Sequence, residues 1–237
     1  MDSKREYQKA VDYLCEMIKD GRLVTGSRLP AERTVSEELS ISRNSTREAL
    51  RMLENMGIIE SRRGSGNYIA ENTSKTISGI VEMMLLLKRT TREEVSSFRK
   101  NMEKAVCRTI IENGSLCRWK EKISDALERF QTAESVAEQS EADGEFHSLL
   151  IRATENQFWI SMLEPVTEVY SKWIDEVLFS AGDELKSQLQ TAHRAIADAI
   201  EKGDYQACDN AIDRHYNLLL PAINKGEMNY EIQTGDF

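Results

Sequence analysis

The chain lacks the marks of a secreted, membrane-bound or disulfide-held protein. No apolar run approaches the roughly 20 residues needed to span a bilayer. Residues 1–20 are charged throughout and have no apolar signal-peptide core, so we expect a cytoplasmic protein without a membrane partner. The four cysteines, Cys15, Cys107, Cys117 and Cys208, are scattered with no C-x-x-C pair, which argues against a disulfide framework or a thiolate zinc site. An overall positive charge is missing too: the net charge is −9. Residues 1–75 carry 13 Lys and Arg against 12 Asp and Glu, and residues 76–237 carry 18 against 28, so the acid belongs to the second part. A locally basic face on a near-neutral first domain still attracts phosphate, because attraction depends on where charge lies.

What is present divides the 237 residues into two domains, and 40% hydrophobic content suffices for two cores. Residues 1–70 form the first, residues 71–75 a polar linker, residues 76–224 the second domain and residues 225–237 a loose tail. Glu6 to Lys19 places Tyr7, Ala10, Val11, Leu14, Met17 and Ile18 on one helical face, ended by Asp20-Gly21. Ala31 to Leu39 is a second, short helix, and Ser40-Ile41 a tight turn. Ser42 is a natural N-cap for a third, whose inner face is Thr46, Ala49, Leu50, Leu53 and Met56. Its outer face carries Arg43, Asn44, Arg47 and Arg51, a stripe at the end that a recognition helix pushes into the major groove. Arginine forks grip phosphate or guanine, and asparagine can read adenine. Residues 58–62 and 67–70 are strand-like runs joined by Arg63-Gly64-Ser65-Gly66, a basic hairpin suited to lie along DNA. A charged helix face alone is ordinary; the ordered set within about forty residues is a specific signal for a winged helix-turn-helix.

From Thr76 onward only helical periodicity appears, with breaks at Thr90-Thr91, Asn113-Gly114, around Gln139, at Asn156, at Ala181-Gly182 and at Gly203-Asp204. About seven helices follow, with a capping box at Thr91 to Glu94 and a cap at Asp204. The fold class is therefore mainly α: a winged helix-turn-helix followed by an all-α antiparallel bundle. Phe158, Trp159, Tyr170 and Trp173 fall at near-helical spacing and are read as core or subunit interface.

The whole chain has three histidines, His147, His193 and His215, all in the bundle. Asp143 and His147 are i, i+4 on one helix and project to a common point. His193 lies ten residues before Gly203 and His215 twelve after it, so on neighbouring antiparallel helices they reach similar heights. Three imidazoles and a carboxylate make a divalent-metal site for zinc, nickel or manganese. On spacing alone, ordinary surface or core histidines fit equally well.

Gly26 to Arg33 (G-x-x-L-P-x-E-R), Ser42 to Leu50 (S-R-x-x-x-R-E-A-L) and Gly57 to Gly66 (G-I-I-x-x-R-x-G-x-G) resemble the DNA-binding domain of the GntR family of bacterial regulators. The resemblance implies DNA contacts at Arg33, Arg43 and Arg47, with Ser42, Asn44, Ser45 and Gly66 at the interface. Ser40 departs from the family, which often has glycine in that turn. Asp143-x-x-x-His147, the segment from His193 to Asp204 and the later His215 resemble the FCD ligand-binding domain of the FadR branch. It implies that Asp143, His147, His193 and His215 hold a metal ion that helps bind a small carboxylate effector. Arg99 and Glu103 match the family's R-x-x-x-E, whose arginine often lies at the effector pocket; a solvated Arg99 paired with Glu103 at i+4 is the plain alternative. Asn156 matches the asparagine ending the family's A-x-x-N segment after the metal helix, which reads first as a helix terminus and second as a pocket residue.

A homodimeric, ligand-responsive transcription repressor bound to a palindromic operator in double-stranded DNA is the expectation, since a two-fold protein demands a two-fold site. The alternatives are a regulator whose metal is structural or is itself the signal, and, more remotely, a metal-dependent hydrolase. No glutamate is tied by motif to the site as a general base, which weighs against an enzyme.

Overall fold

The computed structural model describes the backbone of residues 3–234 and the side chains of residues 6–223. It divides into two compact units, residues 1–77 and residues 78–237.

In the first unit α1 (Ser3–Lys19), α2 (Glu32–Leu39) and α3 (Arg43–Asn55) precede the hairpin β1 (Ile59–Arg62) and β2 (Gly66–Ile69). Ala10 and Leu14 of α1 pack with Val35, Leu50, Leu53 and Ile59 in one small core. Two residues leave the faces expected of them: Ile18 is exposed near the frayed end of α1, and Met56 is exposed because it is the C-cap of α3 rather than its last buried turn. The strands pair antiparallel with Ile59 opposite Ile69 and Arg62 opposite Gly66. Residues 26–29 add a further extended line against β2, with the Leu29 amide donating to the Asn67 carbonyl at 2.8 Å and the Ile69 amide to the Ser27 carbonyl at 2.9 Å. This line has no alternating apolar pattern of its own and was not legible in the sequence. Ser40 ends α2 in the left-handed region, φ 51° and ψ 45°, which is the conformation glycine adopts without penalty.

The second unit consists, among its described residues, of seven helices: α4 (Ser74–Leu86), α5 (Arg92–Asn113), α6 (Leu116–Thr132), α7 (Val136–Ala153), α8 (Gln157–Ser180), α9 (Asp183–Lys202) and α10 (Tyr205–Thr234). The division between the units falls inside α4, whose first two residues occupy the end of the expected linker, with the Ser74 amide donating to Asn72 Oδ1. The consecutive pairs α6–α7, α7–α8 and α9–α10 pack closely, and α5 packs against the distant α10. Thr91 with Glu94 forms the expected capping box, and Gly114 and Gly203 close α5 and α9 in the left-handed conformation. The break expected around Gln139 is instead at 133–135: Ser135 and Glu138 form a second capping box, so Gln139 lies inside α7. Helix α10 continues through Thr234, which makes residues 225–234 of the expected loose tail helical; residues 235–237 lie outside the described residues. Each further helical residue needs only its own hydrogen bond once the turn before it exists. Tyr170 and Trp173 are core, whereas Phe158 is exposed.

Candidate functional site

The first unit presents a basic face. Arg43, Asn44, Arg47 and Arg51 are all exposed on α3, opposite buried Thr46, Ala49, Leu50 and Leu53. Ser42 caps the helix as expected, its hydroxyl accepting the Ser45 amide at 3.0 Å. Ser45 is buried: its hydroxyl donates to Glu6 Oε2 at 2.9 Å and lies 2.8 Å from the Ser42 hydroxyl. The same Glu6 oxygen accepts the Ser42 amide at 3.3 Å. These bonds, the Ser45 hydroxyl first, hold the Glu6 carboxyl below its ordinary range. Ser45 therefore helps fix how α3 starts. Arg33 is exposed and bonded to Glu37 at 2.7 Å, and Arg47 reaches Glu32 at 3.4 Å. Both are surface pairs that phosphate can displace.

At the wing, Gly66 has φ +114°, and a Cβ there would lie 3.4 Å from Arg28 Nε. The positive φ is what favours glycine here, and the exposed Arg28 guanidinium lies beside it against the hairpin. Arg28 adds a basic side chain to this face that sequence reasoning passed over; its only signal was a position inside the G-x-x-L-P motif. Arg62 stacks over the Tyr68 ring at 4.3 Å and is anchored to Glu60.

In the second unit the three histidines converge. His147 of α7, His193 of α9 and His215 of α10 are all buried, with ring centroids 4.6–5.3 Å apart and one ligand nitrogen from each within 4.8 Å of the others. Asp143, one turn before His147, is buried beside them, its carboxylate 3.2 Å from His193 Nε2 and 3.9 Å from His147 Nε2. His147 Nε2, both nitrogens of His193, both of His215 and Asp143 Oδ1 lack a hydrogen-bond partner. A buried polar atom left without a partner costs about 1–3 kcal/mol. One nitrogen from each of three imidazoles, with an Asp143 oxygen beside them, makes a donor set that fits a divalent cation.

The protonation states agree with that use. Burial, the largest influence, lowers the His193 value, and burial with the neighbouring His193 and His147 holds His215 well below its ordinary value, so both imidazoles are neutral, the form in which a histidine can ligate a metal. Burial opposes ionisation of Asp143, but His193, His147 and His215 outweigh it and keep the carboxyl well below the usual range. Phe130 and Phe146 close the site around His193 at ring distances of 5.1 and 4.8 Å.

Arg99 of α5 is not a solvated arginine. It is buried, its guanidinium lies 4.3 Å over the Tyr170 ring, and both terminal nitrogens lack hydrogen-bond partners. Nor does Glu103 bond to it. Glu103 Oε1 instead meets His147 Nδ1 at 3.0 Å, while Oε2 accepts the Tyr216 hydroxyl at 2.8 Å. Burial, the largest influence on this carboxyl, would raise its pKa, yet His147, Arg99 and His215 hold it at about 2. Arg99 and Glu103 share a narrow cavity with Met102, Leu163, Val166 and Thr167, whose volume of about 10 Å³ is close to the space of one water. A wider cavity of about 640 Å³ between α7 and α8 is lined by Val136, Ser140, Gly144, Asp175 and Phe179, and by none of the expected site residues. Asn156 caps α8, its side chain accepting the Phe158 and Trp159 amides, and is a helix terminus rather than a pocket residue.

Two family models match the chain. The one described as "Bacterial regulatory proteins, gntR family" covers residues 6–69, and the one described as "FCD domain" covers residues 94–218. The HTH-type transcriptional regulator LutR of Bacillus subtilis (strain 168) is 29% identical over 204 residues, 84% of this chain and 92% of the relative. The putative L-lactate dehydrogenase operon regulatory protein of Escherichia coli (strain K12) is 27% identical over 238 residues, 94% of this chain and 88% of that protein. Among solved structures, Streptococcus agalactiae GntR has a TM-score of 0.63 at 25% identity, covering 89% of this chain and 97% of that one.

Proposed function

The chain belongs to the bacterial gntR family of regulators and carries the FCD domain, so it is a transcription regulator and not an enzyme; from that premise we propose that it is a homodimeric repressor whose hold on a two-fold operator is set by a small carboxylate metabolite. The observation that carries this reading is the buried, partnerless guanidinium of Arg99, one helical turn before a carboxylate that touches a histidine of the metal cluster. An arginine fork without acceptors in a closed interior is matched by a carboxylate. Asp143, His147, His193 and His215 would hold a divalent ion of the zinc, nickel or manganese type. When bound, that ion supplies fixed positive charge that attracts an anionic ligand. The E. coli relative's name points to a small hydroxy acid, and seating one beside Arg99 would require the cavity, now about the size of one water, to widen.

On the DNA side, Arg33, Arg43 and Arg47 with Asn44, Ser42 and Gly66 form the contact set, with Arg28 beside the wing. Two copies would place two α3 helices in successive major grooves. A dimer is supported by α4, which is apolar on both sides: Val81 and Leu85 pack on the core while Ile80, Met83, Leu86 and Leu87 stay more than half exposed. Among the described residues no helix is long and apolar enough to cross a membrane, which is consistent with a cytoplasmic site of action.

The test is operator binding by fluorescence anisotropy, using a duplex recovered by selection and the metal-loaded chain, titrated with lactate and related organic acids. One acid should weaken binding by 5–150-fold, a coupling of about 1–3 kcal/mol. Arg99→Ala should abolish that response while leaving operator affinity in the absence of acid unchanged. Indifference to every metal-binding carboxylate would sink the reading. It would favour the second one, a metal that is structural or is itself the signal, which the tightness of the Arg99 cavity supports. Metal titrated alone against operator binding separates those two.

A further inference from the structure

We propose that Glu103 is the positioning residue of the metal centre: one carboxylate on α5 that sets the ring orientation and tautomer of His147 on α7 and, through Tyr216, the placement of His215 on α10. The inference rests on the metal reading given above. His147 Nδ1 lies 3.0 Å from both Oε1 and Oε2 of Glu103, and the Tyr216 hydroxyl donates to Oε2 at 2.8 Å, so the carboxylate's two partners are these buried groups. An ionised carboxylate only accepts hydrogen bonds. His147 must therefore carry its proton on Nδ1, which leaves the Nε2 lone pair free. That nitrogen is the one without a partner, and it faces Asp143 and the other two imidazoles. A tautomer with the proton on Nε2 would set a nitrogen lone pair against the carboxylate and a proton into the cluster.

The second arm acts on α10. Tyr216 follows His215 directly, and their rings meet edge to face at 5.1 Å. Anchoring the Tyr216 hydroxyl to Glu103 fixes the rotation of α10 about its own axis at the turn that carries His215. A single side chain on α5 thus ties two of the three histidine-bearing helices to one point, though α5 carries no member of the cluster itself. Such outer partners of metal-bound imidazoles typically govern 10–100-fold in metal affinity. Packing alone does not account for the residue: an apolar side chain of similar volume would fill the space but leave His147 Nδ1 and the Tyr216 hydroxyl unsatisfied.

The test uses the full chain, wild type and the variants Glu103→Ala and Tyr216→Phe, each stripped of metal and checked for cooperative unfolding. Zinc affinity is measured by competition with a chromophoric chelator, and the His147 tautomer is read from imidazole ¹⁵N shifts in the metal-free protein. Wild type should show protonated Nδ1 and unprotonated Nε2. Glu103→Ala should mix the tautomers and lose about 10–100-fold in zinc affinity. Tyr216→Phe should keep the tautomer and lose less, and it carries the test if Glu103→Ala does not fold. A role in packing alone would lower thermal stability without moving either readout. Zinc uptake by a wild-type chain whose His147 is protonated on Nε2 overturns this assignment alone, as does zinc affinity unchanged in a folded variant. A wild-type chain that binds none of zinc, nickel and manganese overturns the metal reading and this assignment with it.

Discussion

Ser40 closes α2 in the left-handed region, which costs a residue with a Cβ about 1–2 kcal/mol relative to right-handed backbone. Ser40→Gly should therefore raise the stability of the first unit by about 0.5–1 kcal/mol, part of the relief being returned as unfolded-state entropy. Urea unfolding followed by far-ultraviolet circular dichroism checks it, and a destabilised variant would mean the Ser40 side chain has another use. The neighbouring serines make a sharper contrast. Arg43→Ala and Arg47→Ala should each cost specific operator binding about 1–3 kcal/mol while leaving thermal stability unchanged, since both side chains are exposed. Ser45→Ala should do the reverse, because the buried hydroxyl belongs to the Glu6 and Ser42 network. Anisotropy and thermal unfolding on the same three variants separate reading from positioning.

At the scale of the element, helix α4 carries the clearest consequence. A surface helix normally pairs an apolar stripe with a polar face, yet Ile80 is 56%, Met83 51% and Leu86 75% exposed opposite the side that packs on the bundle. With Leu87 these side chains present a patch on the order of 400 Å², within the range that marks interaction sites and about half of what one partner gives to a standard interface. Met83→Glu should convert a dimer at micromolar concentration to a monomer by light scattering, with the circular dichroism unchanged; Phe158→Glu, exposed on another helix, should remain dimeric. A dimer in both variants would place the seam elsewhere. The same scale shows why helices and caps were legible beforehand and one break was not. Thr91 to Glu94 and Asn113-Gly114 announce themselves in neighbouring residues. Ser135 with Glu138 is the same capping box, but the glutamine and serine after it read as a loop and drew the break four residues downstream.

For the whole molecule, the buried cluster ties stability to pH and metal. The folded values of His193 and His215 are lowered by burial, so as pH falls below about 6.5 the unfolded chain takes up protons that the folded chain refuses, and stability is lost in that direction. Asp143 and Glu103, held low in the fold, add a loss of the same sign at more acid pH, as the pH drops through the usual carboxylate range toward their folded values. The metal-free chain should accordingly melt progressively lower from pH 7 to pH 5. Zinc at about 100 times its dissociation constant should add about 2.7 kcal/mol at neutral pH and less as the pH drops. Differential scanning calorimetry at several pH values, with and without chelator, reads both. A melting temperature flat across that window would contradict the burial of neutral imidazoles.

The sequence by itself determined whatever depends on one helix or one turn: the α3 arginine stripe, the Ser42 cap, the basic hairpin, the Asp143–His147 spacing and the scarcity of histidine that made three of them conspicuous. Periodicity specifies the angle of a side chain about its own helix axis, and that is enough to separate a buried face from an exposed one. It does not specify which helix stands opposite. Only the tertiary structure decided that Ser45 turns inward to Glu6, that residues 26–29 line the wing, that Arg99 is buried over Tyr170, and that Glu103 meets His147 and Tyr216, residues 44 and 113 positions away. Those partners are chosen by packing between distant segments, where many pairings satisfy the same pattern and only one fills the core.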